Sequence, residues 1–138
     1  MAIVYKFGND LTAQAVIDLL NASTLGVRRP VDAPLIISRM IAEANLVVTA
    51  WDNERLIGLA RTLTDFAYVG YLSDLAVHVD YQLQGIGVEL ISHTRSKMGP
   101  RSTLVLLAAP KAEGYYPKIG FTKHNSAWIL KAGDPLRR

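Results

Sequence analysis

Between Asp74 and Leu90 the chain passes from an apolar strand through a glycine-bearing loop straight into an amphipathic helix. Such a junction aims backbone N–H groups and the positive end of a helix dipole at one spot, which suits a phosphate or pyrophosphate. The amides from Gln84 through Gly85, Ile86 and Gly87 to Val88 would face the anion, Leu83 lies in the same turn, and the Gln82 side chain would brace the loop. Gly85 and Gly87 let backbone approach a ligand with no Cβ in the way. The spacing Gln82-x-x-Gly85-x-Gly87 lacks both the Gly-Lys-Ser/Thr ending of a Walker loop and the third glycine of the dinucleotide fingerprint.

Other residues able to do chemistry are few. Asp74 precedes the loop on the same strand. Alternation puts Asp74, Ala76 and His78 on one face and Leu75, Val77 and Val79 on the other. A carboxylate of ordinary pKa, about 3.9, becomes a useful base only when burial raises it or water relays the proton. It serves equally as an anchor for a neighbouring loop or a partner for an ammonium group. Tyr115-Tyr116 offers a phenol pair, read either as packing or as a proton source. His78, His93 and His124 lie on different elements without metal-pair spacing, and with no cysteine in the chain no metal site is expected.

The elements that must position these groups follow from periodicity and breakers. Met1–Phe7 alternates as a strand, and a helix over about 11–21 follows with Asp10 as its expected cap. A loop over 23–30 carries Arg28-Arg29, read as a solvated charge pair, and a second helix follows Asp32 with Pro34 in its first turn. Strands over 46–51, 56–64 and 70–79 form a meander, the first two joined by a hairpin at Asp52-Asn53-Glu54. A helix over 87–97 stops before Gly99-Pro100, and 103–108 reads as a buried parallel strand. A short helix over about 112–118 and one or two closing strands within 121–131 complete the order β-α-α-β-β-β-α-β-α-β. This is a mixed α+β domain with helices packed on a largely antiparallel sheet.

At 138 residues, 50% hydrophobic and 20% charged, the chain is expected to form a single domain over 1–138. The net charge of +3, with Arg28-Arg29 and Arg137-Arg138 as the tight basic pairs, is too weak for a nucleic-acid surface. Met1 to Lys6 lacks a basic stretch leading into an apolar core, and no apolar run approaches the roughly 20 residues of a membrane span. A cytoplasmic setting, with no nucleic acid or membrane partner, is expected.

The Gln82-x-x-Gly85-x-Gly87 loop resembles the Q/R-x-x-G-x-G/A loop by which the GNAT superfamily of N-acetyltransferases holds the pyrophosphate of acetyl-CoA. Ala112-Glu113-Gly114-Tyr115-Tyr116-Pro117-Lys118-Ile119-Gly120-Phe121 resembles the A-x-x-F-Y-x-K-x-G-F signature that closes that site, and the element order matches the family from end to end. The resemblance implies the GNAT fold, an α+β arrangement with flanking helices and splayed central strands. It implies acetyl-CoA as cosubstrate, its pantetheine arm lying in the splay against the strand at Leu75, Ala76 and Val77. It makes Tyr115 an aromatic core residue and Tyr116 the donor of a proton to the departing thiolate, with Asp74 a candidate general base. Pro117 stands where the family carries a charged residue and is expected to kink the short helix.

The function so implied is direct transfer of acetyl to a primary amine of a small molecule. Two other readings stay open: a non-catalytic acyl-CoA-binding module, and acetylation of protein lysines or N-termini. The apolar run Trp128-Ile129-Leu130 on a late strand would suit a homodimer.

Overall fold

The structure, a computed structural model, describes residues 2–138. Its chain divides into two compact units, a larger one ending at Leu107 and a smaller one, Ala108–Arg138.

The larger unit is built on a five-stranded sheet in sequence order, β1 (Ile3–Phe7), β2 (Leu46–Asp52), β3 (Arg55–Thr64), β4 (Val69–Val77) and β5 (Thr103–Val105). The first four strands are antiparallel neighbours, and β5 joins β4 in parallel. A parallel partner requires a crossover, which helix α3 (Ile86–Lys97) supplies. Between β2 and β3 the hairpin turns at Asn53, whose φ of 53° an asparagine tolerates better than most residues. The first expected strand begins, in the described part, at Ile3; Met1 lies outside the described residues.

Helices α1 (Ala13–Ala22) and α2 (Pro34–Glu43) cover one face of the sheet. Thr12, not Asp10, caps α1: its hydroxyl accepts from the Ala15 amide at 3.1 Å. Val16, Leu20, Ile37 and Ile41 from the two helices cluster with Val47, Leu59 and Ala76 of the strands. Helix α3 covers the other face, to which Gly58, next to Leu59, is turned. A Cβ at Gly58 would lie 3.0 Å from Ala50 Cβ and 3.1 Å from Leu90, so glycine here is what lets α3 sit close. Leu20, Ile37, Leu59 and Leu90 are each fully buried, worth about 1.5–3 kcal/mol apiece. Among the described residues no helix is long and apolar enough to cross a membrane.

The edge strand departs from expectation. β5 ends at Val105 instead of Ala108 and is not buried, with Val105 and Leu107 both exposed. A continuous apolar run signals a strand covered on both faces, whereas β5, with β4 as its one strand neighbour among the described residues, leaves Val105 uncovered.

In the smaller unit a 3-10 turn, Pro110–Ala112, precedes the one-turn helix α4 (Tyr115–Lys118). Pro117 causes no kink, because it falls in the first turn, where an N–H would have no helical partner anyway. The closing strands expected within 121–131 are not formed. His124 and Ser126 make a turn, the Ser126 amide donating to His124 Nδ1 at 3.2 Å. Trp128, Ile129 and Leu130 are consecutive instead of alternating, so no single sheet face would bury them. All three are exposed.

Candidate active site

The sheet opens beside β4. Its pairing with β5 is confined to Val69–Tyr71 against Thr103–Val105, while β4 runs on to Val77. From Leu72 to Val77 one edge of β4 therefore has no neighbouring strand among the described residues. The His78 amide donates to Ile57 O on β3 at 2.9 Å, so by alternation the polar groups of Leu75 and Val77 point to the open edge. One of them is used: Gln82 Nε2 donates to Val77 O at 2.9 Å. That bond is the brace the sequence suggests for the loop, and it leaves the Leu75 edge available to an extended ligand.

The chain turns out of β4 through the 3-10 turn Val79–Tyr81. The Tyr81 hydroxyl donates to Asp52 Oδ2 at 2.5 Å, which pins this turn to the end of β2. The Asp52 hydrogen bond, followed by desolvation, raises the Tyr81 pKa, so the phenol keeps the proton that makes the link. Next comes the loop itself. Leu83, fully exposed, holds a left-handed φ of 63°, and Gly85, the residue before α3, holds φ +82°. Gly87, by contrast, sits inside the helix with ordinary dihedrals. The first bond of the helix end runs from the Glu89 amide to Gly85 O at 3.1 Å. No amide from Gln84 to Val88 donates to another protein group among the described residues. Five unused donors at the start of a twelve-residue helix form a cluster able to hold an anion.

The φ of +82° at Gly85 is what calls for glycine there, and the space beside it is free. A Cβ on Gly85 would meet nothing within 4 Å, so the protein leaves the volume above it open. Gly85→Val is expected to weaken acetyl-CoA binding at least tenfold, through left-handed strain of about 1–2 kcal/mol and a side chain in that open volume. Calorimetry on the folded variant checks this; unchanged affinity would remove the pyrophosphate assignment.

Asp74 lies deeper than the sequence suggests. Its side chain is 1% exposed, and each carboxylate oxygen holds an arginine: Arg29 Nε at 2.5 Å from Oδ1 and Arg61 Nε at 2.5 Å from Oδ2. Arg29 also donates to Ser73 O at 2.6 Å, and Arg61 Nη2 to Ser73 Oγ at 2.8 Å. The Arg28-Arg29 pair is thus not simply solvated: Arg28 is exposed, but Arg29 ties the segment between α1 and α2 to β4. With both oxygens engaged and the carboxyl shut from solvent, Asp74 is poorly placed to collect a proton from an amine. Its geometry is that of a clamp on the β4 backbone at the open edge. Nor does it share an open surface with His78, whose Nδ1 accepts from the Asp80 amide and whose Nε2 lies 2.9 Å from Arg55 Nη2. Arg61 is the residue that sequence reading missed. An arginine directly after the apolar run Leu56-Ile57-Gly58-Leu59-Ala60 is the signal that was there.

In the smaller unit Tyr116 is the half-buried member of the tyrosine pair. Its ring stands edge-on to Tyr115 at 5.3 Å and to Phe121 at 5.4 Å. Phe121 is fixed by its amide, which donates to Tyr116 O at 3.0 Å. Tyr115, expected in the core, is exposed instead. Burial, and secondarily Tyr115, push the Tyr116 phenol above its usual value, which keeps it protonated through the neutral range.

A family profile described as an acetyltransferase (GNAT) domain matches residues 29–133. The uncharacterized N-acetyltransferase ycf52 of Gracilaria tenuistipitata var. liui is 29% identical over 98 residues, 69% of this chain and 54% of that protein. Its counterpart in Pyropia yezoensis is 32% identical over 73 residues, 51% of this chain and 42% of that protein. The chain spans about half the length of these curated relatives. Among solved structures, a probable acetyltransferase of meticillin-resistant Staphylococcus aureus superposes with a TM-score of 0.76 at 21% identity, covering 94% of this chain and 99% of that one. A GNAT family acetyltransferase of Streptococcus pneumoniae gives 0.72 at 22% identity, covering 94% and 99%. The fold is the one these structures share.

Proposed function

The chain belongs to the GNAT acetyltransferase family, and from that premise we propose that it is an acetyl-CoA-dependent N-acetyltransferase that moves acetyl directly onto the primary amine of a small molecule. The observation that carries this reading is the open edge of β4 at Leu75 and Val77 running into the unused amides of Gln84–Val88. An extended arm ending in a pyrophosphate matches that sequence of donors: strand-like hydrogen bonds first, then an anion cradle.

In this reading the amine nitrogen attacks the thioester carbonyl while backbone at the open edge polarises the carbonyl oxygen. The carbon–sulfur bond breaks, and Tyr116 gives the leaving thiolate its proton. The phenol keeps its proton at neutral pH, and the sulfur, whose thiol has a pKa of about 8.5, becomes able to share that proton only once charge has built on it. The Asp74 clamp holds the β4 backbone in register, and the amine sheds its surplus proton to solvent. The chain holds no cysteine, which is consistent with direct attack.

The test is free-CoA release from acetyl-CoA across a panel of small amines, beside a lysine-containing peptide. Saturable release with a small amine and none with the peptide is the expected result. Release with the peptide alone would shift the acceptor to protein, and acetyl-CoA binding without release from any amine would leave a binding module. A homodimer is part of the proposal, supported by the exposed Trp128-Ile129-Leu130 run. Light scattering at tens of micromolar should give twice the chain mass; a monomer mass would remove it.

A further inference from the structure

Beside the Asp74 clamp, on the face of the sheet that carries α2, lies an open groove of about 550 Å³. Leu35, Ile36 and Met40 of α2 and Leu63 of β3 give it apolar walls, and Arg61 lines it from below with a side chain 7% exposed. The charges around it do not balance. Arg29 and Arg61 share the single carboxylate of Asp74, leaving one positive charge in excess, while Arg39 and Glu43 at the rim pair with each other at 3.5 Å. A guanidinium has five N–H groups, and Arg61 makes three bonds, one of them a long 3.4 Å contact from Nη1 to Met40 O. Donor capacity and a net charge thus remain beneath an apolar groove, an arrangement that favours an anion attached to an apolar body.

We propose that the acceptor is an amino acid with an apolar side chain, its carboxylate held by Arg61 and its side chain lying along Leu35, Ile36, Met40 and Leu63. This rests on the acetyltransferase reading. The strand register relates Arg61 to the open edge. Arg61 is directly across from Asp74, and Leu75, at the open edge, is the next residue. The nitrogen bonds to the acetyl carbon as the carbon–sulfur bond breaks. Sulfur leaves with the electron pair and is protonated by Tyr116, and the proton from nitrogen goes to water.

The acceptors that test this are L-leucine and 3-methylbutylamine, the same molecule without the carboxylate. kcat/KM for L-leucine should be higher by roughly tenfold or more, the size of one charge-assisted contact. Independently of turnover, N-acetyl-L-leucine should bind the protein in calorimetry, and Leu63→Glu should weaken that binding by about tenfold while acetyl-CoA affinity stays the same. Leu63 is exposed, so this variant does not disturb the core. If 3-methylbutylamine is acetylated as well as L-leucine, or N-acetyl-L-leucine binds wild type and Leu63→Glu alike, the carboxylate subsite is overturned and the acetyltransferase reading stands. If acetyl-CoA itself does not bind, the acetyltransferase reading falls, and N-acetyl-L-leucine binding still reports on the groove.

Discussion

Tyr116→Phe should lower kcat by about 10²-fold or more and change acetyl-CoA affinity little. The substitution keeps the ring that stands edge-on to Tyr115 and Phe121 and removes only the hydroxyl. That hydroxyl matters once negative charge develops on sulfur, so its loss falls on turnover and not on ground-state binding. Tyr115→Phe is the matched control, expected to be nearly silent because its hydroxyl has no task in the reaction. The pH dependence follows from the raised phenol. Activity should climb with pH as the amine deprotonates, and the loss caused by ionising Tyr116 should come only above the ordinary tyrosine value of about 10. A loss of activity in Tyr115→Phe with Tyr116→Phe intact would move the assignment by one residue. Normal turnover in both would give the proton transfer to water.

Asp74→Ala should cost about 3 kcal/mol of stability or more, seen as a lower urea midpoint. The substitution leaves the buried Arg61 and the half-buried Arg29 without the carboxylate that both share, and the uncompensated charge accounts for most of the loss. Asp74→Ala combined with Arg61→Met should therefore recover a large part of the stability, a coupling that two independent sites would not show. The rising limb of the pH–rate profile should keep its position in Asp74→Asn, because the clamp does not take the proton. A stable Asp74→Asn variant that loses the dependence on pH would restore Asp74 as the base.

The loop was legible because local chemistry dictates it. Apolar alternation up to Val77, glycine at 85 and a helical period from Ile86 give the junction without tertiary information, and Gln82 braces it as read. The meander of β2, β3 and β4 was legible for the same reason, with its hairpin at Asp52-Asn53-Glu54. The Asp74 environment was not, since the partners lie 45 and 13 residues away and only the strand register brings Arg61 across from it. Arg29 comes from a loop with no periodicity to constrain it, so its reach onto Ser73 and Asp74 had no local signal. The strands expected after Phe121 failed on a different ground. Hydrophobicity there was read as strand, although Trp128, Ile129 and Leu130 have no alternation to choose a face. β5 shows the same error in milder form: an apolar run was taken as burial on both sides, and an edge strand was found.

The central claim is direct acetyl transfer to an amine, and isotope tracing tests it in one measurement. The protein is mixed with acetyl-CoA carrying a ¹³C-labelled acetyl group and a small amine, and intact protein and amine are followed together by mass spectrometry. Label is expected on the amine nitrogen in step with free CoA, with a protein mass that never gains an acetyl group. Labelled acetyl appearing first on the protein, or acetyl-CoA bound without any labelled amine, would contradict it.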